Sequence, residues 1–258
     1  MAVQAPPVAV RLAWRVVAFS AGIWAIHALF TKLEGLMGVD LSSMYGGHYQ
    51  FLTNLGLIFS VIAHAFAILS DLAPGNSFIY QTKTVLAIAA LPVEALITIL
   101  YWTIVSISPD LLVPPREVAD PLNPGQVLLE SVRPPIDIDV AMHALPAVFL
   151  TVDHLFLSAP FPKHIRPSLV SAMATLLYCL WIENCASHND GNFPYPLITA
   201  LNLPQRLGLY ALCSTIMIGV LGLVRFLHAF LDETFDRSWQ GSQEQVADEK
   251  RGHKKKQK

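Results

Sequence analysis

The chain has 258 residues, of which 53% are hydrophobic and 14% are charged, and its formal net charge is −2. Soluble domains carry about a quarter of charged residues, so this composition and a mean hydropathy of +0.48 indicate that lipid is the main solvent. A slightly negative chain has no electrostatic basis for binding nucleic acid, and we expect no such partner.

Six apolar stretches are each long enough to span a bilayer, which takes about 20 residues. Alternating strand patterns are absent, and in lipid only helices and closed barrels satisfy all backbone hydrogen bonds. The sequence therefore predicts an all-α integral membrane protein, with a bundle of about six transmembrane helices within residues 1–236. We place the spans near 12–30, 52–70, 84–108, 140–158, 168–187 and 207–231.

Two segments outside the spans have distinctive compositions. The longest connection, 109–139, is rich in proline and acidic residues, which predicts an extended segment with little regular structure. The final segment, 237–258, is polar and ends in a run of lysines, which predicts a disordered tail.

Lysine and arginine set the orientation, because cytoplasmic loops of membrane proteins carry an excess of them. Six spans put both termini on one side, and that side carries most of these residues: Arg11, Arg15, Lys83, Lys163, Arg166, Arg237 and those of the tail. Both termini are therefore predicted to be cytoplasmic. Arg15 and Arg225 lie inside apolar runs near cytoplasmic ends, from which long side chains can snorkel to the headgroups.

The tail carries a possible address. Lys255 and Lys256 lie fourth and third from the end, which matches the dilysine pattern that a retrieval coat recognises on cytoplasmic tails. This pattern predicts the endoplasmic reticulum membrane as the location. An ordinary basic tail near anionic lipid explains the same lysines equally well, so a plasma membrane location stays open.

Polar side chains inside membrane segments are costly unless they are paired or line a polar cavity, so they mark candidate functional sites. The predicted topology brings hydroxyl, imidazole, carboxylate and amide groups to the extracytoplasmic leaflet, and these are the parts of a hydrolase. They are Thr53 and His143, with Asn54, Glu183, His188 and Asp190 as possible supporting residues.

Thr53 and His143 are the candidate catalytic pair. An imidazole can take the proton of a threonine hydroxyl during attack on an ester, because its ordinary pKa lies near neutrality. A helix-start hydroxyl and a packed histidine explain the same two residues without any catalysis.

Three ionisable residues lie deeper in the predicted bundle. His64 follows Thr53 by eleven residues and His154 follows His143 by eleven, so each pair shares one face of its helix. Glu94 needs a proton or a partner in mid-membrane, such as His64 or His154. The three residues either form a structural polar network or line a polar part of a substrate cavity.

No pattern predicts a metal ion or a cofactor. Neither His-Glu-x-x-His nor a comparable ligand spacing appears. Cys179, Cys185 and Cys213 lie in or at the end of apolar segments and match neither a disulfide framework nor a zinc site.

Several short motifs occur in a fixed order along the chain. Segment 45–53 reads Tyr-Gly-Gly-His-Tyr-Gln-Phe-Leu-Thr, and Ser-Asp-Leu follows at 70–72. Met142-His143 precedes Pro146, and Trp181 and Tyr195-Pro196 come later. Together, over about residues 10–232, these motifs resemble those of the androgen-induced protein and androgen-dependent TFPI-regulating protein family of multi-pass membrane threonine hydrolases.

The resemblance implies a hydrolase that cleaves fatty acid esters of hydroxy fatty acids. It implies that Thr53, the threonine of the Phe-Leu-Thr motif, is the nucleophile, and that His143, of the Met-His motif, is an essential base. The chain departs from animal members at Asp139-Val140-Ala141, where they read Asn-His-Gly, and at Glu183-Asn184, where they read His-His.

We therefore expect a lipid ester hydrolase whose partners are the bilayer and a lipid ester substrate. A transporter or lipid-binding protein is the alternative, and it would use Glu94, His64 and His154 as an intramembrane path. A signalling or scaffold protein that works through its tail is a third interpretation.

Overall fold

The computed structural model describes residues 3–4, 6–37, 41–119, 123, 126–235 and 237–239. Five helices in this part of the chain are long and apolar enough to cross a membrane. Two shorter helices, which meet at a bend of 43°, give a sixth span when they are counted as one. These helices confirm the prediction of an all-α integral membrane protein with about six spans, while the side on which the termini lie stays a prediction.

Eight α-helices follow one another along the described residues of the chain. They are α1 (Val8–Met37), α2 (Leu52–Leu72), α3 (Ser77–Ile107), α4 (Ile136–His143), α5 (Leu145–Val152), α6 (Pro167–His188), α7 (Pro196–Thr199) and α8 (Leu203–Thr234). A π-helical turn, Asp153–Leu157, continues α5, and short 3-10 turns precede α2 and follow α3.

Polar caps start two of the long helices several residues before their apolar runs. The Asn76 side chain accepts hydrogen bonds from the Phe78 and Ile79 amides at the start of α3. Asn202 and Gln205 form a capping box at the start of α8. Because such caps satisfy the free amides of a first turn, α3 and α8 begin before the predicted spans do.

The fourth span is broken rather than continuous. Ala144 has φ −134° and separates α4 from α5, and Pro146 lies in the first turn of α5. Proline has no amide to donate to the carbonyl four residues before it, so the ladder of hydrogen bonds cannot continue through Met142. The bend leaves His143 as the last residue of α4.

The connection before α4 has more regular structure than predicted. Strands β2 (Arg116–Ala119) and β3 (Val127–Glu130) form an antiparallel hairpin in which Glu117 lies opposite Leu129. α4 begins at Ile136, four residues before the predicted span. Asp139 is therefore a helical residue and not part of the loop.

The chain ends of the described part lie together. Strand β1 (Val3–Gln4) pairs in parallel with β4 (Arg237–Ser238), as an even number of spans allows. Trp239 donates a hydrogen bond of 2.9 Å to Asp232 of α8, so the first residues of the predicted tail pack on the bundle. Lys255 and Lys256 lie outside the described residues.

Arg15 turns inward, in contrast to the predicted snorkelling position, and is only 1% exposed. Its guanidinium binds Asp153 of the π-helical turn at 2.6 Å and Asp71 of α2 at 2.5 Å. It also donates to Ser158 at 3.0 Å, and Lys83 of α3 donates to the same hydroxyl at 2.7 Å. These five residues form a buried ionic cluster that joins four segments of the chain. Inward pairing is favoured because each carboxylate would otherwise be buried alone.

A close approach of α2 and α3 sets the width of the bundle at its centre. A Cβ atom on Gly56 would lie 2.7 Å from Ile97 Cδ1 and 2.9 Å from Glu94 Oε1. A larger residue at this crossing would therefore require the Ile97 or Glu94 side chain to shift. Leu29, Leu57 and Met142 form part of a buried apolar core between α1, α2 and α4, which fixes α2 and α4 side by side.

Replacing Arg15 with alanine should destabilise the bundle, because Asp71 and Asp153 would lose their main cation. Breaking a buried pair typically costs about 3–5 kcal/mol. Thermal unfolding in detergent should show a lower Tm for Arg15→Ala and an unchanged Tm for Lys163→Ala, whose side chain is exposed. Equal Tm values for the two variants would contradict a stabilising role for the cluster.

Candidate active site

A cavity of about 200 Å³ lies between α3, α6 and α8, and its lining is almost wholly apolar. The start of α2, the end of α4 and parts of the 109–134 connection line it near one end of the bundle. From there it reaches Met217, which lies about 21 Å along α8 from its first residue at 1.5 Å per residue. Such a space fits a ligand with a long apolar part.

Thr53 lines this cavity from the first turn of α2. The Tyr195 hydroxyl accepts a hydrogen bond of 3.1 Å from the Leu52 amide and also contacts the Thr53 side chain. Nearby, the Tyr178 hydroxyl donates to the Gln50 carbonyl at 3.0 Å. The two tyrosines therefore hold the chain on either side of Phe51, where α2 begins.

Tyr195 lies in the connection between α6 and α7, outside the spanning helices. Burial raises the pKa of its phenol above the ordinary value. The phenol therefore stays protonated at neutral pH, and its oxygen, which accepts from the Leu52 amide, lies beside Thr53.

The turn before α2 is fixed to the end of α6. Gly46 has φ 85°, and a Cβ atom there would lie 2.7 Å from the Cys185 sulfur, so this position requires glycine. The Tyr45 amide donates to Asn189 at 2.8 Å, and Asn189 donates back to the Tyr45 carbonyl at 3.1 Å. These contacts hold the Tyr-Gly-Gly segment, which precedes α2 and Thr53, against the end of α6.

His143 lines the same cavity from the last turn of α4. Its Nδ1 lies 2.9 Å from Asp139 Oδ1 and 3.0 Å from the Asp139 carbonyl oxygen. The ring stacks on Tyr101 with centroids 3.4 Å apart and planes 1° apart. Nε2 has no hydrogen-bond partner among the described residues.

The structure thus brings Thr53 and His143 to one cavity, although they come from helices far apart in the chain. Within the described chain no hydrogen bond joins the two side chains directly. Catalytic hydrogen bonds are often long without substrate and tighten when it binds. The arrangement offers a hydroxyl and an imidazole to a ligand in the cavity.

Asn54 also lines the cavity, but its side-chain amide already donates to an acceptor in the protein. Its side chain is buried and donates to the His48 carbonyl at 2.8 Å. Asn54 therefore fixes the turn before α2. The Gly47 amide, in the same turn, donates to the Met44 carbonyl at 3.0 Å.

The other three predicted supporting residues do not line this cavity. Glu183 accepts from Arg206 at 2.8 Å and from Tyr210 at 3.2 Å, which braces α6 against α8. His188 stacks on Tyr45 with centroids 4.3 Å apart. Asp190 is exposed and has φ 55° in the turn after α6.

The deeper ionisable residues lie outside the cavity as well. Glu94 accepts from Ser60 at 2.8 Å, in place of the predicted pairing with His64 or His154. His154 stacks on Phe161, with centroids 3.6 Å apart. His64 and His154 each line a small separate void instead.

Sequence reasoning missed three residues that shape the site, namely Asp139, Tyr101 and Tyr178, and it noted Tyr195 only as part of a motif. The spacing of Asp139 and His143, four residues apart, was a usable signal because such pairs meet on one helix face. It was missed because Asp139 was assigned to the preceding connection. No local signal pairs Tyr101, Tyr178 or Tyr195 with residues that are distant in the chain.

The model of the family described as FAR-17a/AIG1-like protein matches residues 10–229. The chain belongs to this family. A UPF0641 membrane protein of Schizosaccharomyces pombe is similar as well, with 30% identity over 210 residues that cover 81% of this chain and 85% of the relative. No solved structure matches the chain.

FAR-17a/AIG1-like membership confirms the resemblance that the motifs indicate. The matched residues include all six spans almost completely, both Thr53 and His143, and the turn that carries the Tyr-Gly-Gly motif. The match therefore covers the membrane bundle of this chain, and the basic tail lies beyond the matched part.

Proposed function

We propose that this FAR-17a/AIG1-like protein is a membrane-embedded lipid ester hydrolase that cleaves fatty acid esters of hydroxy fatty acids. One observation carries the proposal: Thr53 and His143, from separate helices, line the same apolar cavity. A hydroxyl and an imidazole that face one ligand are the minimal equipment for acyl transfer. The apolar walls match the acyl chains of such a substrate.

The chemistry proceeds in two steps through a covalent intermediate. Thr53 Oγ1 attacks the ester carbonyl carbon while His143 Nε2 takes the hydroxyl proton. The tetrahedral intermediate then expels the alkoxide of the hydroxy acid, which receives that proton from His143. Water, deprotonated by His143, finally attacks the acyl-threonine and releases the fatty acid and a free Thr53 hydroxyl.

The negative oxygen of the intermediate needs a donor. The Asn54 side-chain amide donates to the His48 carbonyl, and the Gly47 backbone amide donates to the Met44 carbonyl. Both groups therefore already have an acceptor within the turn before α2. The Tyr195 hydroxyl is protonated and contacts Thr53. We assign it this role, because donors beside a developing oxyanion strongly stabilise the transition state.

Thr53→Ala and His143→Ala should each abolish hydrolysis of a lipid ester by the purified protein, since each removes one half of the reacting pair. Thr53→Ala should also abolish labelling by a fluorophosphonate. Tyr195→Phe should lower kcat by roughly 10²-fold. Turnover of a panel of lipid esters and gel-based labelling measure these effects.

Thr103→Ala is the matched control, because Thr103 is exposed on α3 and lies outside the cavity. Glu94→Gln distinguishes the transporter alternative, which requires Glu94 and tolerates loss of Thr53. A hydrolase keeps its turnover in Glu94→Gln. Retained hydrolysis in a stable Thr53→Ala protein would reject the proposed function.

The cavity also predicts how long a substrate arm can be. An acyl arm that starts at Thr53 extends past Ala174 of α6 towards Met217 of α8, both of which line the cavity. Each buried methylene contributes about 0.8 kcal/mol of binding. Longer chains should therefore bind better until the arm reaches the buried Met217.

Ala174→Phe should shorten this space and select shorter acyl chains. Loss of three methylenes of burial would lower kcat/KM for a long-chain ester by roughly 50-fold, with little change for a short-chain ester. Ala172→Phe is the control, because Ala172 is exposed on the same helix. An unchanged chain-length profile in Ala174→Phe would contradict this binding mode.

For the location we propose the endoplasmic reticulum membrane, on the basis of Lys255 and Lys256. Changing both to serine should move a fluorescently tagged protein to the plasma membrane in microscopy, because the retrieval pattern is lost. Changing Lys254 and Lys258 to serine removes the same charge and should leave the location unchanged. Identical behaviour of the two double variants would favour an ordinary basic tail.

A further inference from the structure

We propose that Asp139 is a positioning residue of this site, which orients His143 and stabilises its protonated form during proton transfer. This inference rests on the proposed hydrolase function. It adds a third member to the pair of Thr53 and His143, and it assigns a role to a residue that lies one helical turn before the histidine.

The first argument is geometric. Asp139 Oδ1 lies 2.9 Å from His143 Nδ1, and the Asp139 carbonyl oxygen lies 3.0 Å from the same nitrogen. Both neighbours of Nδ1 are oxygen acceptors, so Nδ1 must carry the proton of the neutral ring. Nε2 then keeps its lone pair, which is the form that a general base requires.

The second argument is the fixed orientation of the ring. Tyr101 covers one face of the His143 ring, with centroids 3.4 Å apart and planes 1° apart. Tyr101 therefore fixes the plane of the ring, and the contact of Nδ1 with Asp139 fixes which edge faces the carboxylate. Nε2 is the remaining nitrogen, and His143 lines the cavity that also holds the Thr53 side chain.

The third argument is electrostatic. Asp139 is 2% exposed and His143 is 7% exposed, and no lysine or arginine among the described residues pairs with Asp139. Burying a carboxylate without a cation is costly. Transfer of the Thr53 proton to His143 places a positive ring against this carboxylate, so the pair is most favourable at the moment of attack.

The helix supplies this pairing by its own geometry. Residues four apart lie one above the other on a helix face, and α4 spans both residues because it begins at Ile136. Asp137, two residues before Asp139, is exposed. The same helix thus offers an acidic residue that points away from His143 and provides a matched control.

The test compares Asp139→Ala, Asp139→Asn and Asp137→Ala in purified full-length protein with a lipid ester. Asp139→Ala should lower kcat by roughly 10²–10³-fold and leave KM within about threefold, because positioning acts on the chemical step. Asp139→Asn should lie between wild type and Asp139→Ala, since its amide oxygen still accepts from Nδ1 but carries no charge. Asp137→Ala should match the wild type.

Thermal unfolding accompanies each variant and identifies those that fold. If Asp139→Ala does not fold, Asp139→Asn is compared with Asp137→Asn instead. We then expect a lower kcat at unchanged KM for Asp139→Asn and wild-type values for Asp137→Asn. A folded Asp139 variant whose kcat equals that of its Asp137 control overturns the inference. A rise of KM at unchanged kcat overturns it as well, because Asp139 would then act in binding.

The wild-type and Thr53→Ala proteins separate this outcome from failure of the proposed function. If wild type hydrolyses the ester and Thr53→Ala does not, the function stands and the Asp139 variants alone judge the inference. If wild type neither hydrolyses any ester of the panel nor reacts with a fluorophosphonate at Thr53, the proposed function fails and the role of Asp139 fails with it.

Discussion

In a bundle whose solvent is lipid, every buried polar group must find its partner inside the protein, and this constraint determines where the helices of this chain meet. Water is not available to satisfy a stray carboxylate or guanidinium, so each one must be brought to another polar group. Arg15, Asp71 and Asp153 meet at one level of the bundle. Asp139 and His143 meet at another, beside the cavity.

The two polar clusters have different consequences because they differ in access. The buried ionic cluster around Arg15 is closed by packing and joins α1, α2, α3 and the π-helical turn. The Asp139–His143 pair opens on one side to a cavity that also receives Thr53. The first cluster borders a void of only about 20 Å³ and acts as a brace, whereas the second faces a cavity of about 200 Å³. This contrast favours the proposed hydrolase over the alternative of a transporter with a polar path through the middle of the membrane.

The sequence predicts the spans well because an apolar run of about 20 residues has few alternatives in lipid. The starts of helices are less predictable, because a hydropathy profile does not detect a polar first turn such as the one that Asn76 caps at the start of α3. The same limit hid Asp139, because the polar start of α4 looks like the end of the preceding connection. The hairpin of β2 and β3 was missed for a related reason, because its few paired residues lie within a stretch that is rich in proline.

The candidate site was partly predictable. Thr53 and His143 were found as polar residues at one leaflet and through the motifs that carry them. Their neighbours Tyr101, Tyr178 and Tyr195 come from other helices or connections, and only the packing of the bundle brings them together. Glu183 and Glu94 show the opposite error, because the sequence suggested a functional role for both. In the structure Glu183 binds Arg206 and Glu94 accepts from Ser60, so both hold helices together.

The break between α4 and α5 also shapes the electric field at the site. Because the chain bends at Ala144, His143 ends a short helix instead of lying within a continuous span. The peptide dipoles of a helix add up to a partial negative charge at its carboxyl end. The imidazole therefore lies at the end of α4 where backbone carbonyl oxygens gather, and the carbonyl of Asp139 lies 3.0 Å from its Nδ1. The break thus ties the ring to the backbone of its own helix at the edge of the cavity.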